Sequence, residues 1–125
     1  MKEAGFFLEL HRSPGGIPGV SMQSVTGKFD GDPGRAVHYL RDASIFGISG
    51  SLFGDILDES VGKIDTLAIM TDGDWIWPSD LAYYVEKYRV GVPQEFIDLI
   101  NSRDGSPPLL SKRDLVRLAN EMFGS

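Results

Sequence analysis

The chain has no cysteine, which excludes disulfides, thiolate metal sites, iron–sulfur clusters and a cysteine nucleophile. That absence fits a reducing compartment. Histidine is scarce as well, with only His11 and His38. His11 falls at the end of an expected strand and His38 on an exposed helix face between Arg35 and Arg41. Neither stands at a spacing from Ser, Asp or Glu that implies a triad, so both read as surface residues. No stretch approaches the roughly 18 consecutive apolar residues of a membrane span. The opening residues, Met1 to His11, carry too short and interrupted an apolar run for a signal peptide. The expectation is a soluble cytoplasmic protein with no membrane partner. Basic residues are also in short supply, 12 against 18 acids, for a net charge of -6. Phosphate binding needs clustered Lys and Arg, so nucleic acid is not expected as a ligand.

The charge deficit is local. Seven acids fall between residues 55 and 80 (Asp55, Asp58, Glu59, Asp65, Asp72, Asp74 and Asp80) against one base, Lys63. Acids and bases balance on either side, five of each in residues 1–54 and six of each in residues 81–125. So focused a field suits a basic protein partner. Taken singly, the acids have structural explanations: Asp72 and Asp74 flank a turn glycine, and Asp80 falls in the first turn of a helix. Their segregation has none.

The 125 residues and 42% hydrophobic content fit one domain, spanning 1–125, with a continuous core. Phe6 to His11 alternates as a strand with Phe6, Leu8 and Leu10 on one face, and Ser13 to Gly19 is a breaker-rich loop. A second strand is expected within Val20–Phe29. Asp32 and Pro33 start a helix running to about Ala43, with Ala36, Val37, Leu40 and Ala43 buried. Ile45 to Gly54 reads as a loop, then a short strand from Leu52 to Leu57. Lys63 to Trp77 reads as a β-hairpin turning at Asp72-Gly73 and stopped by Pro78. Three helices follow. Ser79 caps the first (Leu81, Tyr84, Val85, Tyr88), Pro93 opens the second (Phe96, Ile97, Leu99, Ile100), and a capping box of Ser111 and Asp114 starts the third (Leu115, Leu118, Ala119, Met122). With strands mainly early and helices mainly late, the fold class is α+β, a small antiparallel sheet packed by one early and three late helices.

Chemistry is harder to find. Carboxylate pairs for hydrolysis are available in the acidic segment but not selectively placed. Neither Asp72-Gly73-Asp74 nor the run from Asp55 to Glu59 has the ligand frame of a calcium loop. The glycine-rich run from Gly47 to Gly54 lacks a phosphate-loop lysine. No catalytic residue, cofactor or metal is expected. Trp75 and Trp77 alternate on one strand face: Trp77 reads as core, and Trp75 as core or interface anchor. Tyr83, off its helix's apolar stripe, is a candidate contact aromatic. The candidate partner-binding set is Asp55, Asp58, Glu59, Asp65, Asp72, Asp74, Trp75, Asp80 and Tyr83.

Tyr39-Leu40-Arg41, Asp55-Ile56-Leu57-Asp58, the run from Thr71 to Tyr88 and Val92 to Phe96 together form a pattern. It resembles a group of small bacterial proteins sharing a TDGxWxWPxDLAYYVxxY core, some of which look like immunity proteins of contact-dependent or other polymorphic toxin systems. The resemblance covers about Asp32 to Ile100. It implies a non-enzymatic inhibitor binding a cognate toxin domain, and secreted toxins of this sort are often basic nucleases that an acidic surface would match. A small carboxylate-dependent hydrolase, or an adaptor or homo-oligomer subunit without a toxin, is the alternative expectation.

Overall fold

The computed structural model describes residues 1–12 and 19–123. Within them the fold is α+β: a four-stranded mixed sheet with α-helices on its faces. The strands are β1 (Lys2–Glu3), β2 (Ser44–Phe53), β3 (Asp65–Thr71) and β4 (Trp75–Pro78), in the order β1-β4-β3-β2. β3 and β4 form the expected hairpin, Met70 opposite Trp77. Gly73 at the turn has φ +98, a value open to glycine at little steric cost. β1 joins β4 in parallel, so the sheet is mixed rather than wholly antiparallel.

The helices are α1 (Met22–Val25), α2 (Pro33–Asp42), α3 (Leu81–Tyr88), α4 (Gln94–Ser102) and α5 (Lys112–Phe123). α2 begins as its sequence dictates, with Asp32 Oδ1 accepting from the Gly34 and Arg35 N–H groups. Ala36, Val37, Leu40 and Ala43 are all buried. α5 carries its reciprocal cap: Asp114 N–H donates to Ser111 Oγ at 3.1 Å, and Ser111 N–H reaches Asp114 Oδ2 at 3.4 Å. Of its expected core stripe, Leu118 is buried while Leu115, Ala119 and Met122 are half-buried. A 420 Å³ cavity lined by Phe46, Ile69, Ile76, Ala119 and Met122 lies beneath it.

Several local expectations fail for identifiable reasons. Phe6 to His11 is not a strand; a 3-10 turn occupies Leu8–Leu10, and the β1 pairing comes earlier. Consecutive Phe6 and Phe7 are both buried, so the one-sided alternation expected of this stretch is absent. Val20–Phe29 is not a strand either, because Glu9 reaches across to cap α1. Its carboxylate accepts from Met22 N–H at 2.7 Å, Gln23 N–H at 3.0 Å and Ser21 Oγ–H at 3.0 Å. These bonds outweigh the burial that opposes them and hold the Glu9 pKa below the ordinary carboxylate value. The stretch expected as a loop from Ile45 is most of β2, which absorbs its glycines as bulges between Ile45 and Gly47 and between Ile48 and Leu52. α4, opened by Pro93 as expected, extends through Asn101 and Ser102 beyond its last expected core residue, Ile100. The loop expectation for Ser13–Pro18 lies outside the described residues.

The core sits where the two tryptophans meet α4. Trp75 and Phe96 stack at 4.7 Å between ring centroids, with Trp77 at 5.2 Å from the same Phe96 ring. Tyr39 of α2 meets that ring edge-on at 6.1 Å, and Trp77 Nε1–H donates to Leu40 O at 3.2 Å. The tryptophans therefore pack on Phe96 of α4, with Trp77 also against Tyr39 and Leu40 of α2. Phe96→Ala should cost about 3–5 kcal/mol, read as a lower urea midpoint with little change in slope. Phe96→Leu should cost distinctly less.

Candidate functional site

The acidic segment does not present itself whole to solvent. Asp55, Asp72 and Asp80 are buried, at 6%, 2% and 0% exposure. Each has drawn in a base from elsewhere in the chain: Lys87 at 3.2 Å, Arg103 at 3.2 Å and Arg12 at 2.8 Å respectively. With these three and Lys63 set against seven acids, the local excess falls to three. Trp75 is also buried, at 4%. As surface contacts, Asp55, Asp72, Trp75 and Asp80 are overturned.

Asp72 organises the hairpin turn. Its Oδ1 accepts from the Asp74 and Trp75 N–H groups at 2.9 and 2.7 Å, and its Oδ2 accepts from Tyr39 Oη–H at 2.6 Å and from Arg103. Arg103 also donates to Tyr39 Oη at 2.7 Å and to Asp74 Oδ2 at 2.8 Å. Burial, together with the hydrogen bond to Asp72, pushes the Tyr39 hydroxyl well above its ordinary value. Asp74 is exposed but engaged in this network.

Asp55 is held by α3. Its Oδ2 accepts from Tyr88 at 2.6 Å, Tyr83 at 2.7 Å and Lys87, while Oδ1 accepts from Leu57 N–H at 2.8 Å. Burial alone would raise its pKa, yet these hydrogen bonds outweigh it and the net shift is downward. Tyr83 thus spends its hydroxyl inside the protein and is half-buried, short of the exposed contact aromatic expected. Its neighbour Tyr84 donates to Gly54 O and accepts from Ile56 N–H, with burial lifting its pKa to about 12.

Asp80 behaves oppositely. Burial dominates, Arg12 only partly compensates, and the pKa is raised. Its Oδ1 has no hydrogen-bond partner among the described residues. Far from a solvated first-turn acid, Asp80 is a sealed carboxylate facing one guanidinium. Nor does Ser79 cap α3: its Oγ accepts from Ala68 N–H at 2.9 Å and its N–H donates to Ala68 O at 2.8 Å, tying the helix start to β3.

Three acids remain exposed without a buried role: Asp58, Glu59 and Asp65. They surround the 3-10 turn Glu59–Val61 that joins β2 to β3. Asp58 accepts from Ser60 N–H and Oγ–H, which lowers its pKa. Beside them stand exposed Ile56, Val61 and Ile64. A 380 Å³ cavity nearby brings Arg12, Asp55, Glu59, Lys63 and Tyr84 together. Among the described residues no group of three or more His, Asp or Glu side chains is placed to hold a metal ion, and no helix is long and apolar enough to cross a membrane. His38 pairs with Asp42 at 3.1 Å on the exposed side of α2, and His11 is exposed.

The architecture defines a small α+β protein with a mixed four-stranded sheet. Comparison with known proteins returns no matching family model, curated protein or solved structure.

The two buried aspartates predict opposite pH behaviour. Asp55 has a lowered folded pKa, so its stabilisation is present above the unfolded value of about 3.9 and is lost as pH falls through the folded value. Asp80 has a raised folded pKa, so its ionised form costs stability at neutral pH, and that cost fades as pH falls through the folded value. Asp55→Asn should therefore lower stability at pH 7 and flatten its loss in acid. Asp80→Asn should be near neutral or stabilising at pH 7, whereas Arg12→Gln, which strands the buried charge, should cost about 3 kcal/mol or more. Urea midpoints from pH 3 to 8 read both effects. Arg103→Ala should shift near-ultraviolet tryptophan dichroism along with stability, because the turn that orients Trp75 loses its anchor.

Proposed function

We propose that this protein is a non-enzymatic, acidic binding protein whose partner is a basic protein domain. The carrying observation is the group Asp58, Glu59 and Asp65, exposed within eight residues of one another and bordered by exposed Ile56, Val61 and Ile64. Acids at the rim of an apolar patch steer a positively charged partner and favour it over others, and the patch supplies area to bury. The sequence resemblance gives the partner a character: a cognate toxin domain, of nuclease type, which the protein would neutralise as an immunity protein. Under that reading the phosphate-binding cleft of the toxin provides the positive surface.

The hydrolase alternative requires two carboxylates of raised pKa beside an open cavity. Asp80 is raised but sealed at 0% exposure against Arg12, and Asp55, which lines the 380 Å³ cavity, is lowered. No observation favours that reading over binding.

Tagged protein should retain a stoichiometric basic partner from its native lysate at low salt and lose part of it at high salt. The variant Asp58→Asn/Glu59→Gln/Asp65→Asn should slow association at low salt by roughly tenfold or more, with an unchanged unfolding midpoint. Recovery of the protein alone at both salts, with the product of the adjacent gene present, would refute the proposal.

A further inference from the structure

The 380 Å³ cavity beside the β2–β3 connection has a wall fixed from within the protein. Tyr84 Oη of α3 accepts from Ile56 N–H at 2.9 Å and donates to Gly54 O at 3.2 Å. The connection closes at its base, where Ile64 N–H donates to Phe53 O at 2.8 Å. There the backbone packs so closely that a Cβ on Gly54 would stand 2.9 Å from Gly62 O, an approach that glycine permits. Arg12 is fixed as well, since buried Asp80 accepts from its Nη1–H at 2.8 Å. Asp55 is answered inside the protein by Lys87, Tyr83 and Tyr88.

This frame leaves capacity unspent. A guanidinium carries five N–H donors, and among the described residues Arg12 uses one of its own on a side-chain partner. Lys63 and Glu59 line the same cavity and are exposed. Among the described residues neither has a side-chain partner, and they do not pair with each other. Asp80 offsets the charge of Arg12, and Lys87 that of Asp55. The charges left to face a ligand are therefore Lys63 and Glu59, one of each sign. Leu10, Leu52, Phe53 and Ile56 supply an apolar wall.

We infer that this cavity binds a small zwitterion of the amino-acid class with an apolar side chain. Its carboxylate meets Arg12 and Lys63, its ammonium meets Glu59, and its side chain lies on the apolar wall. The planar fork of arginine matches a carboxylate, and a guanidinium already oriented by Asp80 loses less freedom on binding. Other ligand classes fit less of the cavity. A wholly apolar ligand strips water from Lys63 and Glu59 without replacing it. A simple anion faces Glu59, and a simple cation faces Arg12 and Lys63. The site stands apart from the basic-partner reading, because Asp58 and Asp65 are not among its lining residues.

The test titrates isotope-labelled protein with L-leucine, with L-leucinamide, which lacks the carboxylate, and with 4-methylpentanoate, which lacks the ammonium. Leucine should shift the amides of Leu52, Gly54, Glu59 and Lys63 saturably. Each analogue should bind roughly tenfold more weakly or worse, the worth of one hydrogen-bonded charge. Lys63→Met should narrow the preference over leucinamide and Glu59→Gln the preference over 4-methylpentanoate, each leaving the other preference intact. Asp58→Asn/Asp65→Asn should change neither. All four substituted residues are exposed, and thermal melts confirm folding of each variant. No saturable shift in millimolar leucine would overturn the inference, as would a footprint elsewhere. So would an analogue that binds as well as leucine, or a selectivity that survives both Lys63→Met and Glu59→Gln.

Discussion

The Asp72 carboxylate is the constraint on which the rest of the structure hangs. Four donors from three parts of the chain converge on its two oxygens: the turn amides of Asp74 and Trp75, the Tyr39 hydroxyl from α2, and Arg103 just after α4. A buried carboxylate persists when its lone pairs are filled and a counter-charge lies close. Here the same bonds set the hairpin turn, orient the strand that carries both tryptophans, and fix α2 and α4 against it. Phe96 then meets Trp75, Trp77 and Tyr39 together. The aromatic core supplies the bulk of the burial, and Asp72 supplies its registration.

Asp55 and Asp80 show how environment divides chemically identical groups. Asp55 gains three side-chain donors and a backbone amide, and its ionised form is favoured despite burial. Asp80 is deeply buried and, among the described residues, gains a single guanidinium and leaves one oxygen unpartnered, so its ionised form is disfavoured. The first bond set secures the chain after β2 to α3; the second ties Arg12 to the start of α3. Both are long-range tethers.

These tethers reshape the surface. Once Arg12, Lys87 and Arg103 have been drawn to the acidic segment, the charge that remains free is concentrated around the β2–β3 connection. The same region carries exposed Ile56, Val61 and Ile64. Exposed charge and structural charge thus come from one stretch of sequence, divided by which acids found a partner inside the protein.

Much of the fold was legible locally. Asp32-Pro33 determined where α2 starts, Asp72-Gly73 where the hairpin turns, Ser111 with Asp114 how α5 is capped, and helical spacing which faces of α2, α3 and α4 turn inward, because each rests on contacts within a few residues. Asp58, Glu59 and Asp65 were equally readable as exposed acids. The first thirty residues were not, since Glu9 caps a helix thirteen residues away and β1 owes its pairing to β4. Nor could the sequence distinguish Asp55, Asp72 and Asp80 from their exposed neighbours. Their partners lie between 31 and 68 residues distant, and an aspartate's local pattern is the same whether it caps a turn in water or anchors a guanidinium in the core. Sequence order determined that this protein carries a concentrated negative charge; only the tertiary structure decided which carboxylates hold the fold and which face solvent.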